Sequence, residues 1–361
     1  MNDIIDNIIM NIENFDYNNI SMLFSSLLVY YVSKRTIRNY DLKKDSKPKN
    51  IKEIALPPEV KLKYDEVAFN SMMSSKAKEA VLKFTNLMIE KFPSEVLSNF
   101  YNNINTLEIK NNAPRKNQFF NNFRCVGVYK GELNRIILDE NQFFNTIYHE
   151  LFHMASSVSK DKIYYSGFYQ AKPKSMIGEG INEGYTEVLT KRYFYQDTRK
   201  FKSYEFLVMI ADRLEKIIGK DIMESLYFKA DLHGLVLELQ KYISEDDVMK
   251  FITNTDFILK YVYEDRVRFI ERDKIVNVLK TTINLLIKAY NFKLESEYSK
   301  GNISADEFLE EMYGYCSSFA SDLKIDGHNY KFLSSEDFVD IFTLYFKDLL
   351  DMKESELIIK K

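Results

Sequence analysis

His149-Glu150-Leu151-Phe152-His153 places two of the chain's four histidines four positions apart. That spacing requires a helix if the two are to act together. On an α-helix, side chains at i and i+4 stand one turn above the other on the same face. Two imidazoles so placed can reach one metal ion, and Glu150 then falls beside the ion rather than on it. From there its carboxylate can take a proton from a metal-bound water, whose pKa a zinc ion lowers to about 7, and pass it to a leaving amine. The bland alternative is a surface helix carrying two unrelated histidines, and the scarcity of histidine counts against it.

The flanking residues give that helix a reason to be buried. Between Asn141 and Met154, the residues Phe143, Phe144, Ile147, Leu151 and Met154 recur at helical spacing and form an apolar face. Upstream, Phe123 to Lys130 and Leu133 to Asp139 are rich in β-branched and apolar residues around Gly131, which predicts two strands joined by a turn.

A catalytic zinc takes a third protein ligand and leaves its fourth position to water. Glu179, Glu183 and Glu187 are the acids within reach. A helix beginning near Asn182 would put Ile181, Tyr185, Val188 and Leu189 on its apolar side, with Glu183 and Glu187 sharing the other side at i, i+4. Glu183 is assigned as the third ligand. Glu187 is assigned as the outer acid that receives the second ring N–H of a ligand histidine, fixing its tautomer and raising its basicity. Glu179 is the fallback ligand, weakened by Gly180 and by its position ahead of the helix. The competing reading of Glu183 and Glu187 is a solvated helix face.

His149-Glu150-x-x-His153 followed by Asn182-Glu183-x-x-x-Glu187 resembles the gluzincin arrangement of thermolysin-like and M1-type metallopeptidases, over about forty residues. The resemblance implies one zinc ion held by His149, His153 and Glu183, with Glu150 as general base and Glu187 one turn after the glutamate ligand. It implies an α+β fold: a zincin-like catalytic domain with a small sheet and an active-site helix, followed by a mostly α-helical C-terminal subdomain. Two features depart from the pattern. The interval from His153 to Glu183 is longer than the common thermolysin-like spacing, which predicts an inserted hairpin or loop at Lys162 to Lys174. No Gly-Ala-Met-Glu-Asn exopeptidase motif precedes the helix, so no subfamily is assigned.

Peptide hydrolysis also needs a donor for the developing oxyanion. Tyr227 and His233 are available, but with twenty-five tyrosines in the chain packing is the default for Tyr227, and a lone histidine on an apolar helix reads as structural. His328, beside Asp326 and Gly327, reads as a surface turn residue. Cys125, in a predicted strand, and Cys316, in a distant helix, read as buried thiols without a disulfide framework, which points to a reducing, cytoplasmic setting. A net charge of -3 leaves no cationic excess for phosphate, so nucleic acid is excluded as an expected partner.

The chain's 361 residues divide by composition into an N-terminal helical segment at 1–40, a Lys- and Pro-bearing linker at 41–58, a catalytic region at 59–199 and a helical region at 200–361. The acidic start lacks the basic n-region of a secretion signal. Residues 20–32 are apolar but too short to span a bilayer, so a packed amphipathic helix is expected there, with a membrane anchor as the alternative. Val60 to Phe92 is predicted helical, and Asn105 to Lys110 a strand. After Pro173 the chain has no proline, and Ser244, Ser304 and Ser334 each open a capping-box-like helix start. The expected activity is zinc-dependent hydrolysis of peptides or unfolded proteins. The alternative is a non-catalytic binding or regulatory protein on the same fold.

Overall fold

A computed structural model describes residues 74–112, 127–139, 143–198, 204–260, 272–320, 323–325 and 328–330. The segment 1–40, the linker 41–58, Cys125 and the helix start at Ser334 lie outside the described residues. The fold is α+β and rich in helix, with small sheets. The described residues fall into two compact units. One contains those up to Gln240 together with those from Val248 to the end of the helix there, and the other contains Lys241–Asp247 and those from Arg272 onward.

The first unit opens with α1 (Ser75–Lys91), whose N-cap Ser74 accepts a hydrogen bond from the amide of Ala77. Of the helix predicted over Val60 to Phe92, residues 60–73 lie outside the described residues, and at Ser75 the Ser74 hydroxyl satisfies an amide that would otherwise be left unpaired at a helix start. After a 3-10 turn comes α2 (Ser98–Ile104), then β1 (Glu108–Asn112), β2 (Gly127–Lys130) and β3 (Arg135–Asp139). Three strands make one sheet in the order β1-β3-β2, with β1 parallel and β2 antiparallel to β3. The expected turn at Gly131 is a 3-10 turn ending at Asn134, which adopts left-handed φ 45°, ψ 53°. Its side chain is held by Tyr129 and by donation to the Asn103 carbonyl and Thr106.

Ile136 and Leu138, two apart on β3, are buried, and the sheet packs on α3 (Phe143–Ala155), which also meets α1 and α2. Ile147, Leu151 and Met154 are buried as the periodicity predicts. Tyr148 and Phe152 on other sides of α3 are buried too, so the helix is enclosed rather than amphipathic. Phe152 stands edge-on to Phe84 at 4.9 Å and near Phe194 and Phe228, while Tyr148 stacks on Phe194 at 3.8 Å. Each such ring removed from water contributes roughly 2–3 kcal/mol, which holds α3 firmly in place.

The insertion predicted at Lys162 to Lys174 is larger than a hairpin. It is a four-stranded antiparallel meander of β4 (Ser157–Lys160), β5 (Ile163–Ser166), β6 (Tyr169–Lys172) and β7 (Ser175–Ile177). Asp161 and Lys162, both at positive φ, make the first two-residue turn. The chain then enters α4 (Glu179–Thr198), which packs on α3 and most extensively on α5 (Glu205–Ile218). Next come α6 (Lys220–Phe228), α7 (Leu232–Gln240) and α8 (Glu245–Ile258).

The second unit contains α9 (Arg272–Ser299) and α10 (Ala305–Ala320), packed together with Tyr290 stacked on Tyr315 at 4.1 Å. The predicted helix starts are found at Ser244, which caps Asp247, and at Ser304, where Ser304 and Glu307 exchange hydrogen bonds. Cys316 is buried, and burial pushes its thiol up to about 12. This part of the chain is not wholly helical: β8 (Leu323–Ile325) pairs antiparallel with β9 (His328–Tyr330). His328 thus opens a strand opposite Ile325 rather than sitting in the turn. Among the described residues no helix is long and apolar enough to cross a membrane; residues 20–32 lie outside them.

Candidate metal centre

α3 and α4 lie side by side and bring together the residues that the spacing singled out. His149 and His153 project from α3, and their Nε2 atoms are 3.0 Å apart. From α4, Glu183 places Oε2 3.2 Å from His149 Nε2 and Oε1 3.5 Å from His153 Nε2. All three ligand atoms lie within 4.8 Å of one another. With bonds of about 2.0–2.1 Å, ligand atoms around a four-coordinate ion stand about 3.3–3.4 Å apart. Two imidazole nitrogens and a carboxylate converging at that separation fit a metal ion, and among the described residues this is the cluster that can hold one.

The acids are not a solvated face. Glu183 is 5% exposed and Glu187 3%, beside histidines at 7%. Burial alone would raise the Glu183 carboxyl, but His153 and His149 hold it well below the usual carboxylate range. Burial likewise disfavours a charged His149, yet hydrogen bonds to Glu183 and Glu187 override it and raise that ring to about 10. Glu187 sits behind the centre, with Oε2 3.1 Å from His149 Nδ1 and Oε1 3.7 Å from Lys191. Glu179 is half-buried in the first turn of α4 and is not part of the cluster.

Glu150, between the two histidines, is buried and lies against Gly127 on β2. A Cβ at Gly127 would meet Glu150 Oε1 at 3.1 Å, so the glycine leaves room for the carboxylate. Within its sheet β2 pairs with β3 and stands last in the strand order, beside Glu150.

The C-terminal end of α3 and the N-terminal end of α4 are fastened by polar contacts. Serine hydroxyls close the C-terminal end of α3: Ser156 donates to the Phe152 carbonyl and Ser157 to that of His153, and Ser157 also meets Tyr164 at 2.9 Å. Such bonds satisfy carbonyls that a helix end leaves without partners. α4 begins at Glu179, one turn before the predicted Asn182. Asn182 accepts from the Phe168 amide and approaches His153 Nδ1 at 3.4 Å.

Three tyrosines refine the expectation for this region. Tyr227 is fully buried with its hydroxyl 2.7 Å from Thr186, so it is a packing residue, and burial raises its phenol. Tyr204 lies with its ring 6.2 Å from that of His149 and holds a left-handed backbone at φ 53°. Tyr164, on β5, is near enough to Glu150 to feel its charge. Neither Tyr204 nor Tyr164 is marked by a sequence motif; each reaches the site through a long-range contact. His233 lies on the exposed side of α7.

Compared with protein-family models, curated proteins and solved structures, the chain matches none of them.

Proposed function

We propose that the protein is a zinc-dependent metallopeptidase of gluzincin type, built on a zincin-like catalytic domain. The observation that carries the reading is Glu150: a buried carboxylate beside a His-His-Glu cluster that takes no part in the cluster itself. A purely structural zinc site closes its fourth position with a protein ligand and has no use for a base at its edge. Two imidazoles and a carboxylate make zinc the first choice among the divalent ions.

When bound, the ion acidifies a water and polarises the substrate carbonyl. The remaining chemistry belongs to the chain. Glu150 takes the water's proton as oxygen adds to the peptide carbon, then delivers it to the departing nitrogen as the C–N bond breaks. Water is thereby divided between the new carboxylate and the new amine. Glu187 holds His149 in the tautomer that leaves Nε2 free for the metal. An extended peptide adding to this sheet at β2 would lie across Glu150, which favours unfolded or short peptide substrates.

Metal analysis of wild-type and Glu150→Gln protein, with both run against a mixed peptide library read by mass spectrometry, tests this. One zinc in each and cleavage by the wild type alone is expected. Zinc in both with saturable peptide binding but no cleavage would replace the peptidase with a binding protein, and no metal in either would refute the centre.

A further inference from the structure

We propose that Asp256 on α8 is a positioning residue for the metal centre: it fixes the N-terminus of α4 and thereby places Glu183 against His149 and His153. The inference rests on Glu183 being a metal ligand.

The Asp256 carboxylate accepts hydrogen bonds from the Gly178 and Gly180 amides, each at 2.8 Å, across sequence separations of 78 and 76 residues. These are amides that a helix start leaves without internal partners, and a negative charge there also opposes the positive end of the helix dipole. Burial pushes the Asp256 carboxyl up to about 6, against the pull of the amides that donate to it. The same turn of α4 is pressed directly onto α8, since a Cβ at Gly180 would stand 2.1 Å from the Thr255 carbonyl oxygen. On the next turn, a Cβ at Gly184 would stand 2.4 Å from the Leu207 carbonyl oxygen of α5.

α4 is thus held by backbone contact on two helices, and Asp256 fixes where along its axis it begins. Glu183 lies between Gly180 and Gly184. A slide or rotation of α4 would move its carboxylate away from a cluster whose atoms must agree to within a few tenths of an ångström. An ordinary helix cap comes from the adjoining residues. Here the cap comes from a separate helix, so its loss removes the contact that sets where along its axis the ligand-bearing helix begins.

The experiment measures Zn2+ affinity by chelator competition for the full chain as wild type, Asp256→Asn, Asp256→Ala and Glu183→Gln, together with thermal midpoints and Co2+ absorption spectra. A fall of about 10–100-fold in affinity is expected for Asp256→Ala, the size typical of lost outer-shell support. The altered Co2+ spectrum should accompany it. Asp256→Asn, which keeps one acceptor, should fall in between and decides the matter if the alanine variant does not fold. Wild-type affinity and an unchanged Co2+ spectrum in these variants, with only the thermal midpoint lowered, would overturn the inference and leave Asp256 a plain cap. A wild type without metal would instead remove the metal-centre reading and this inference with it.

Discussion

Nδ1 of His149 lies 3.1 Å from Oε2 of Glu187, while Nε2 of the same ring faces Glu183 at 3.2 Å. One imidazole is therefore held between two carboxylates with opposite tasks. If Nδ1–H donates to Glu187, the Nε2 lone pair points at the place where the ligand atoms converge. Replacing Glu187 by Gln keeps an acceptor but removes the charge, and Zn2+ affinity should fall about tenfold. Replacing it by Ala should cost closer to 100-fold. Chelator competition reads both, and an unchanged affinity in the alanine variant would remove Glu187 from its supporting role.

The same pairing gives metal loading a pH dependence of definite sign. In the metal-free protein His149 is raised from 6.5 to about 10. Because that is above the unfolded value, the ion pairing stabilises the metal-free fold fully below about pH 6.5 and is lost as the pH rises through about 10. A metal binds only the neutral ring. Loading at pH 7 should thus release a proton from His149, and affinity should rise about tenfold per pH unit up to about pH 10. Titration calorimetry in buffers of differing ionisation enthalpy measures the proton count. A count of zero would contradict this account.

Two helical glycines, on α4 and α10, predict opposite outcomes for one substitution. Gly180→Ala drives a methyl group into the Thr255 backbone, which cannot retreat as a flexible side chain would, and a loss of about 1–3 kcal/mol is expected. Gly314→Ala on α10 meets nothing within 4 Å and should be stabilising by about 0.5–1 kcal/mol through helix propensity alone. Urea denaturation midpoints of the two variants against wild type check both signs.

These glycines also show what the sequence could and could not reveal. His149, His153, Glu183 and Glu187 are legible because each pair is set by the period of a single helix, and local periodicity survives in the sequence. The start of α4 is not legible: Glu179-Gly180 reads as loop by propensity, and the residue that makes it helical, Asp256, is 76 positions away from Gly180. The four-stranded meander escapes for a related reason. Its strands are three or four residues long and mix serine, lysine and tyrosine, so no alternation stands out. Tyr148 and Phe152 fall off the predicted apolar face of α3 because aromatic partners from α1, α4 and α6 cover that side.

Arg192, on the far turn of α4, is bonded to Glu215 on α5 and to Glu224 on α6 at 2.9 Å, while Tyr185 and Tyr193 donate to the same two acids. Both carboxylates are buried, and among the described residues Arg192 is the cation that faces them. Removing it leaves two like charges in a poorly solvated layer, a far larger penalty than the loss of an exposed pair. Arg192→Ala should therefore destabilise the fold by about 3 kcal/mol, at the lower end for a broken buried pair because the guanidinium is itself partly exposed. Arg192→Lys should recover only part of this, since an ammonium cannot span both oxygens of Glu215 and still reach Glu224. Equilibrium unfolding in urea separates the three proteins. Equal midpoints would show that the tyrosine hydroxyls alone suffice to hold the two acids.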